Sequence, residues 1–353
     1  MHSPLSWPRR TSPLPSRTEE HHACRSSPLP DVPDRPVPWR RSVHLFPGQG
    51  DFSVSSLVRA ARTTPGLRTA VREVFEEVDA VAAERGLPQL GRWLLGPEPP
   101  SGRDLALAAT GTAQLALFGA SVAVHRALSG AYGVPSAAVG VSFGEIAALT
   151  AAGVFGVADG ARAAHDLAVV LASCPGGLTA LSCSERSARA LLAEAGAAEA
   201  VVAVVNDELS VVVAGPTAAL VLVEKAAEDR RVAAVRLRLP FSSHHPALGR
   251  AAEEFATAVR AYPRSGARFP VHSAVAGRRY GPTDDLAARL ADCLVRPAAV
   301  PPVLRQVMAY RPGVLFEAGT GSALASSARS VLAAALDPAP PVRAPLTEPG
   351  FPW

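Results

Sequence analysis

The stretch Ala137-Ala138-Val139-Gly140-Val141-Ser142-Phe143-Gly144-Glu145-Ile146-Ala147-Ala148-Leu149 decides the fold. Its opening is a short apolar run, its centre is glycine-rich, and its end favours helix. It predicts a strand, a sharp turn and a helix. Gly140-x-Ser142-x-Gly144 is the pattern of a nucleophile elbow, in which a strained turn lifts a serine hydroxyl clear of the sheet. The flanking backbone is crowded there, and glycine tolerates the approach because it lacks a Cβ. The helix after the turn aims its N-terminal amides and positive dipole end at the serine, where an oxyanion would form. An ordinary strand-to-helix turn is the plain alternative.

Upstream, Ser42–Phe46 reads as a strand that runs into Pro47-Gly48-Gln49-Gly50. No Gly-Lys-Ser/Thr follows, so this is not a phosphate loop. It is either a tight connection or a place where Gln49 lends its backbone amide to an oxyanion hole. Leu67–Arg85 is helical, with Val71, Val74, Phe75, Val78 and Val81 on one face. A second helix is expected over Ala106–Ala127. It contains Gln114, whose amide in an apolar run is either hydrogen-bonded core or pocket lining. A third helix follows the elbow at Val157–Leu171.

The pattern then changes. Strands at Leu178–Cys183, Ala200–Asn206, Leu209–Ala214 and Val232–Leu239 alternate with helices at Ser184–Gly196 and Pro216–Asp229. That order, βαββαβ, is ferredoxin-like. Beyond it come a polar loop at Pro240–Leu248 and a helix at Gly249–Tyr262. A strand at Arg268–Ser273 and helices at Leu286–Leu294 and Val300–Tyr310 follow. A strand at Val314–Ala318 and a helix at Ser322–Leu336 complete the pattern. The expected fold class is α/β, an α/β-hydrolase-like parallel-sheet body with an inserted ferredoxin-like subdomain. The body takes residues 42–176 and 237–340, and the insert residues 177–236. Residues 1–41, with nine prolines and no hydrophobic period, are expected to be disordered, and residues 341–353 to fray.

Composition narrows the function. Seven arginines against four acids in residues 1–41 carry most of the net charge of +4, so the remainder is nearly neutral. No basic stripe with interleaved aromatics is present, which argues against nucleic acid. No run of 18 apolar residues argues for a membrane span, and no apolar secretory signal opens the chain. Cys24, Cys174, Cys183 and Cys293 are too scattered for a metal site, and His21-His22 beside Cys24 has no second half. A cytoplasmic protein without a metal or a tightly bound cofactor is expected.

Serine needs a base to accept its proton. Among nine histidines, His244 and His245 fall in the loop where insert and body meet, which suits a general base; a plain turn role is the alternative. No aspartate stands out as an orienter between Ser142 and His244.

On these residues the chain resembles the malonyl-CoA:acyl-carrier-protein transacylases and the acyltransferase domains of polyketide synthases. The signs are Phe46-Pro47-Gly48-Gln49-Gly50, Gly140-x-Ser142-x-Gly144-Glu145, Asn206 before Ser210-Val211-Val212-Val213-Ala214-Gly215, Ser243-His244-x-Pro246 and Phe316-Glu317-x-Gly319. They occur in family order over about residues 43–336. The resemblance implies that Ser142 is acylated and His244 is its base. It implies an oxyanion hole from the amides of Gln49 and Phe143. Gln114, Asn206, Phe241 and Ser243 would bind substrate, and a backbone carbonyl at Cys293 would orient the histidine. Coenzyme A thioesters and phosphopantetheine are then substrates, an acyl carrier protein is a partner, and a ketosynthase is a candidate partner.

Two departures bear on the acyl group. Val141 stands where the family has a histidine, and Leu167 where it has the arginine that grips a malonyl carboxylate. Losing a bidentate, charge-assisted pair removes the means of seating a carboxylate in an apolar pocket. An uncharged acyl group is therefore expected. Phe241-Ser242-Ser243-His244 is nearer the Tyr-Ala-Ser-His of methylmalonyl-selecting domains than the His-Ala-Phe-His of malonyl-selecting ones, which points to propionyl. The chain is similar in this to standalone starter-unit acyltransferases of aromatic (anthracycline-type) polyketide pathways. The rival expectations are an editing thioesterase, a non-catalytic partner of a ketosynthase, and a malonyl transacylase despite the missing arginine.

Overall fold

The computed structural model describes residues 41–50 and 53–353. The tail expected to be disordered, with its His21-His22 pair, lies outside these residues apart from Arg41. The chain runs β1 (Ser42–Phe46), α1 (Val54–Thr63), α2 (Pro65–Glu84), α3 (Leu90–Leu94), α4 (Gly102–Leu107), α5 (Thr112–Tyr132), β2 (Ala137–Gly140), α6 (Gly144–Ala151) and α7 (Val157–Ala172). The insert follows as β3 (Gly177–Leu181), α8 (Glu185–Glu194), β4 (Val201–Asp207), β5 (Ser210–Gly215), α9 (Thr217–Asp229) and β6 (Ala234–Arg236). The body resumes with α10 (Gly249–Arg260), β7 (Val271–Ser273), β8 (Arg278–Arg279), α11 (Leu286–Val295), β9 (Ala298–Ala299), α12 (Val300–Val307), β10 (Val314–Glu317), α13 (Ala323–Ala335) and β11 (Val342–Arg343).

The body sheet has the order β11-β10-β1-β2-β7-β8 and is parallel except for the β7–β8 pair. β1 and β2 are buried along their whole length, as expected of central parallel strands covered on both faces. Burial of Leu45, Phe46 and Val139 contributes about 1.5–3 kcal/mol per large side chain. His44 of β1 and His125 of α5 share a buried 2.9 Å hydrogen bond inside this core. Burial pushes both rings down, His125 to about 3, so both are neutral at pH 7.

The insert sheet has the order β6-β3-β5-β4-β9. Its first four strands are antiparallel in the ferredoxin-like arrangement that the βαββαβ order predicts. One face packs Leu181, Val202, Val211 and Val213 under α8 and α9 as a small core of its own. The other face carries Leu178, Val204 and Val212 into the main core. β9 belongs to the returning body chain and pairs with β4 in parallel, Val204 opposite Ala298 and Val205 opposite Ala299.

α1, α3, β8 and β9 were not expected from the sequence, and two expected elements come out differently. The helix expected over Ala106–Ala127 is two helices. Gly111 breaks it at φ 95°, where a Cβ would lie 2.5 Å from the His165 ring. A capping box between Ser101 and Asp104 starts α4 separately. Thr110-Gly111-Thr112 marks the break in the sequence, between two Ala/Leu-rich runs. Residues 341–353 do not fray. Val342 and Arg343 pair with Leu315 and Phe316, and Phe351 is buried against Phe316 and Tyr132. Among the described residues no helix is long and apolar enough to cross a membrane.

Candidate active site

Ser142 follows β2 at φ 55°, in the left-handed region that a non-glycine residue enters only under constraint. The constraint comes from both glycines. A Cβ on Gly140 would lie 2.7 Å from Glu145 Cα, and one on Gly144 would lie 2.2 Å from the Phe46 carbonyl oxygen. The Val141 N–H donates to the same Phe46 oxygen at 3.1 Å, locking the elbow to the end of β1. The next turn closes through Gly144, Glu145 and Ile146 N–H donating to Val141, Ser142 and Phe143 oxygens. The Phe143 amide therefore stands ahead of these bonds at the N-terminus of α6, with its ring buried.

His244 reaches the serine from the loop after the insert. It too is left-handed, at φ 57°, and is 2 % exposed. Its Nε2 lies 2.8 Å from Ser142 Oγ, and its Nδ1 lies 2.7 Å from the Arg296 carbonyl oxygen. A carbonyl only accepts, so Nδ1 carries the hydrogen and Nε2 offers its lone pair to the serine hydroxyl. Burial lowers the ring to about 4, and the carbonyl bond opposes this in part. The base is thus neutral and ready at pH 7.

The orienting carbonyl corrects the sequence expectation. Cys293 does not hold the ring; its carbonyl accepts the His244 backbone N–H at 3.2 Å. Leu294 does the same for His245 at 2.8 Å. These two bonds spend the carbonyls near the end of α11, and the chain must leave the helix at Arg296, in extended conformation, before a carbonyl can turn to Nδ1. His245 is structural, its Nε2 bonded to the Glu199 carbonyl.

A cavity of about 480 Å³ opens over Ser142 and His244. The body contributes Pro47-Gly48-Gln49-Gly50, Val141, Phe241 and Ser243. The insert contributes alternate residues of its strands, Leu178 and Ala180, Val204 and Asn206, Ser210 and Val212. The sequence reading missed these apolar wall positions and Ser326 and Ser327 of α13, although the alternation along the strands was visible. No arginine or lysine lines the cavity among the described residues.

Two expected wall residues lie elsewhere. Leu167 is 1 % exposed in the core face of α7 and does not line the cavity. Gln114 does not line it either; its Nε2 donates to Gln49 Oε1 at 2.9 Å. Its role is to fix the side chain of the loop residue whose amide was expected in the oxyanion hole. No group of residues that could hold a metal ion occurs among the described residues.

The elbow, its carbonyl-held histidine and the inserted ferredoxin-like sheet thus bring Ser142 and His244 together beside one cavity. Residues 37–347 match the acyl transferase domain family, and the chain belongs to that family. It is 32 % identical over 243 residues, 67 % of its length, to the erythronolide synthase EryA3 of Saccharopolyspora erythraea, and covers 7 % of that protein. The chain thus spans a tenth or less of the length of the curated relatives it matches. Among solved structures it is similar to the acyltransferase domain from the second module of the salinomycin polyketide synthase. That match has TM-score 0.69 and 26 % identity, and covers 86 % of this chain and 68 % of that one. It shares the fold of a malonyl transacylase solved with its type II polyketide acyl-carrier protein, with TM-score 0.73 and 22 % identity. This second match covers 86 % of this chain and 95 % of that one.

Proposed function

We propose that the chain moves a short uncharged acyl group, propionyl foremost, from a coenzyme A or carrier-protein thioester to an acyl carrier protein in polyketide starter-unit selection. The observation that carries this reading is the Ser142–His244–Arg296 carbonyl relay beside a cavity that no arginine or lysine lines among the described residues.

Ser142 Oγ attacks the thioester carbonyl while His244 Nε2 takes its proton. On this reading the backbone amides of Gln49 and Phe143 receive the oxyanion. Collapse of the tetrahedral intermediate breaks the C–S bond, and the imidazolium returns the proton to the leaving thiolate. An acyl-serine ester remains. A phosphopantetheine thiol then gives its proton to His244 and attacks the ester, and Ser142 Oγ leaves and regains the proton. The backbone carbonyl on Nδ1 stabilises the imidazolium formed in each half-reaction without needing an aspartate.

A carboxylated acyl group would enter this cavity with no cation to meet it. Burial of an unpaired carboxylate costs several kcal/mol, so roughly a thousandfold preference for uncharged acyl groups is expected. Intact-mass measurement after incubation with propionyl-CoA and malonyl-CoA tests the reading. A propionyl adduct on Ser142 is expected, and a malonyl adduct without a propionyl one overturns the specificity. Released free acid measured against acylated carrier protein separates transfer from hydrolytic editing, and transfer is the expected excess. The carrier-protein partner is supported by the fold shared with a transacylase solved in such a complex.

A further inference from the structure

Glu145, the second residue of α6, is 1 % exposed and takes no part in the proton transfers above. Its Oε1 accepts from Ser273 Oγ at 2.9 Å and from the Val275 N–H at 3.3 Å, and its Oε2 accepts from the Tyr280 hydroxyl. The Ser273 hydroxyl is itself held by the Ala276 N–H at 2.8 Å. One carboxylate therefore ties the first turn of the nucleophile helix to β7 and the β7–β8 turn. The same turn reaches both catalytic residues. The Ala274 N–H donates to the Gly140 carbonyl at 3.0 Å, and the Ala299 N–H donates to the Ala274 carbonyl at 2.8 Å. Ala299 closes the short segment that begins with Arg296, whose carbonyl holds His244.

We infer that Glu145 is a positioning residue that sets the Ser142–His244 geometry by clamping the nucleophile elbow and the base-holding segment to one turn. The inference rests on the catalytic reading of Ser142 and His244. Here donors from the end of β7, from the turn after it and from Tyr280 just past β8 converge on the Glu145 carboxylate, and that turn is bonded through Ala274 to β2 on one side and to β9 on the other.

Burial pushes the carboxyl up to about 7, against the pull of its three donors. Asp292 and Cys293 of α11 and Tyr280 are the charged and titratable groups that bear on it. Burial first, and the Glu145 charge second, raise the Tyr280 hydroxyl, which keeps it a donor. The ionised carboxylate satisfies all three donors, and the protonated acid cannot accept from all of them on equal terms. The clamp tightens as pH rises through about 7.

The test uses a fluorophosphonate probe, which labels a reactive serine whatever acyl group the site prefers. Wild type is expected to label at Ser142, with a rate that rises through an inflection near pH 7. Glu145→Gln is expected to slow labelling on the order of ten- to a hundredfold and to remove that inflection. Tyr280→Phe should slow it several-fold, and the double variant little more than Glu145→Gln alone. A folded Glu145→Gln variant with the wild-type rate and pH profile overturns the inference. If that variant does not fold, Tyr280→Phe and Ser273→Ala decide, and wild-type rates in both overturn it. A wild-type protein that is not labelled at Ser142 overturns the catalytic reading and the positioning role with it.

Discussion

The two sheets build one cavity in different ways. The parallel body sheet works through its ends: β2 delivers Ser142 at a left-handed turn, and the β1 loop presses against it. The antiparallel insert sheet works through its face, where Leu178, Ala180, Val204 and Val212 make an apolar wall. At the strand ends Ser142 and His244 are held by named hydrogen bonds, so substitutions there should act all-or-none. On the sheet face only volume and polarity matter, so the acyl group can be changed without disturbing the chemistry.

The largest test of this contrast is Ser142→Ala, which should abolish the covalent acyl adduct in intact-mass spectra. His244→Ala should follow, slowing acylation by about 10²- to 10⁴-fold with binding of the acyl donor little altered; rapid-quench kinetics read both. On the insert side, Ala180→Leu should leave Ser142 labelling intact and shift the propionyl-to-acetyl ratio by about tenfold toward acetyl in competition assays. A loss of labelling as deep as that of His244→Ala would break the contrast. The smallest effect is on stability. His244, His44 and His125 are neutral when buried, so the unfolded chain binds protons first as pH falls. The stabilisation carried by these three rings should be full above about 6.5 and be lost as pH falls, through about 4 for His244 and about 3 for His125, seen as a fall in Tm at acid pH.

Much of this was legible in the amino acids. The elbow was, because Gly140 and Gly144 answer to crowding that the spacing alone implies. The insert was, because alternating strands and two short helices in the order βαββαβ leave few arrangements. The expectation of an uncharged acyl group was argued from a residue that does not line the cavity. Leu167 was expected on the cavity wall and sits in the core instead. Spacing places a residue on a helix but not at a wall built from another segment. The orienting carbonyl was beyond reach for a similar reason. A backbone oxygen carries no side-chain signature, and which of Cys293, Leu294 or Arg296 faces the imidazole depends on where α11 ends. The break at Gly111 had a local signal in Thr110-Gly111-Thr112, overridden by the Ala/Leu-rich runs beyond it.

The C-terminal strand has a practical meaning for handling the protein. β11 covers the outer edge of β10, and Phe351 and Trp353 stack in a row that runs through Phe316 to Tyr132. Cutting the chain before Val342 would leave the backbone of Leu315 and Phe316 as a bare parallel edge, the kind that recruits another chain. Shortened versions should therefore self-associate, visible as early elution in size-exclusion chromatography. An affinity tag sits more safely ahead of β1 than directly on Trp353.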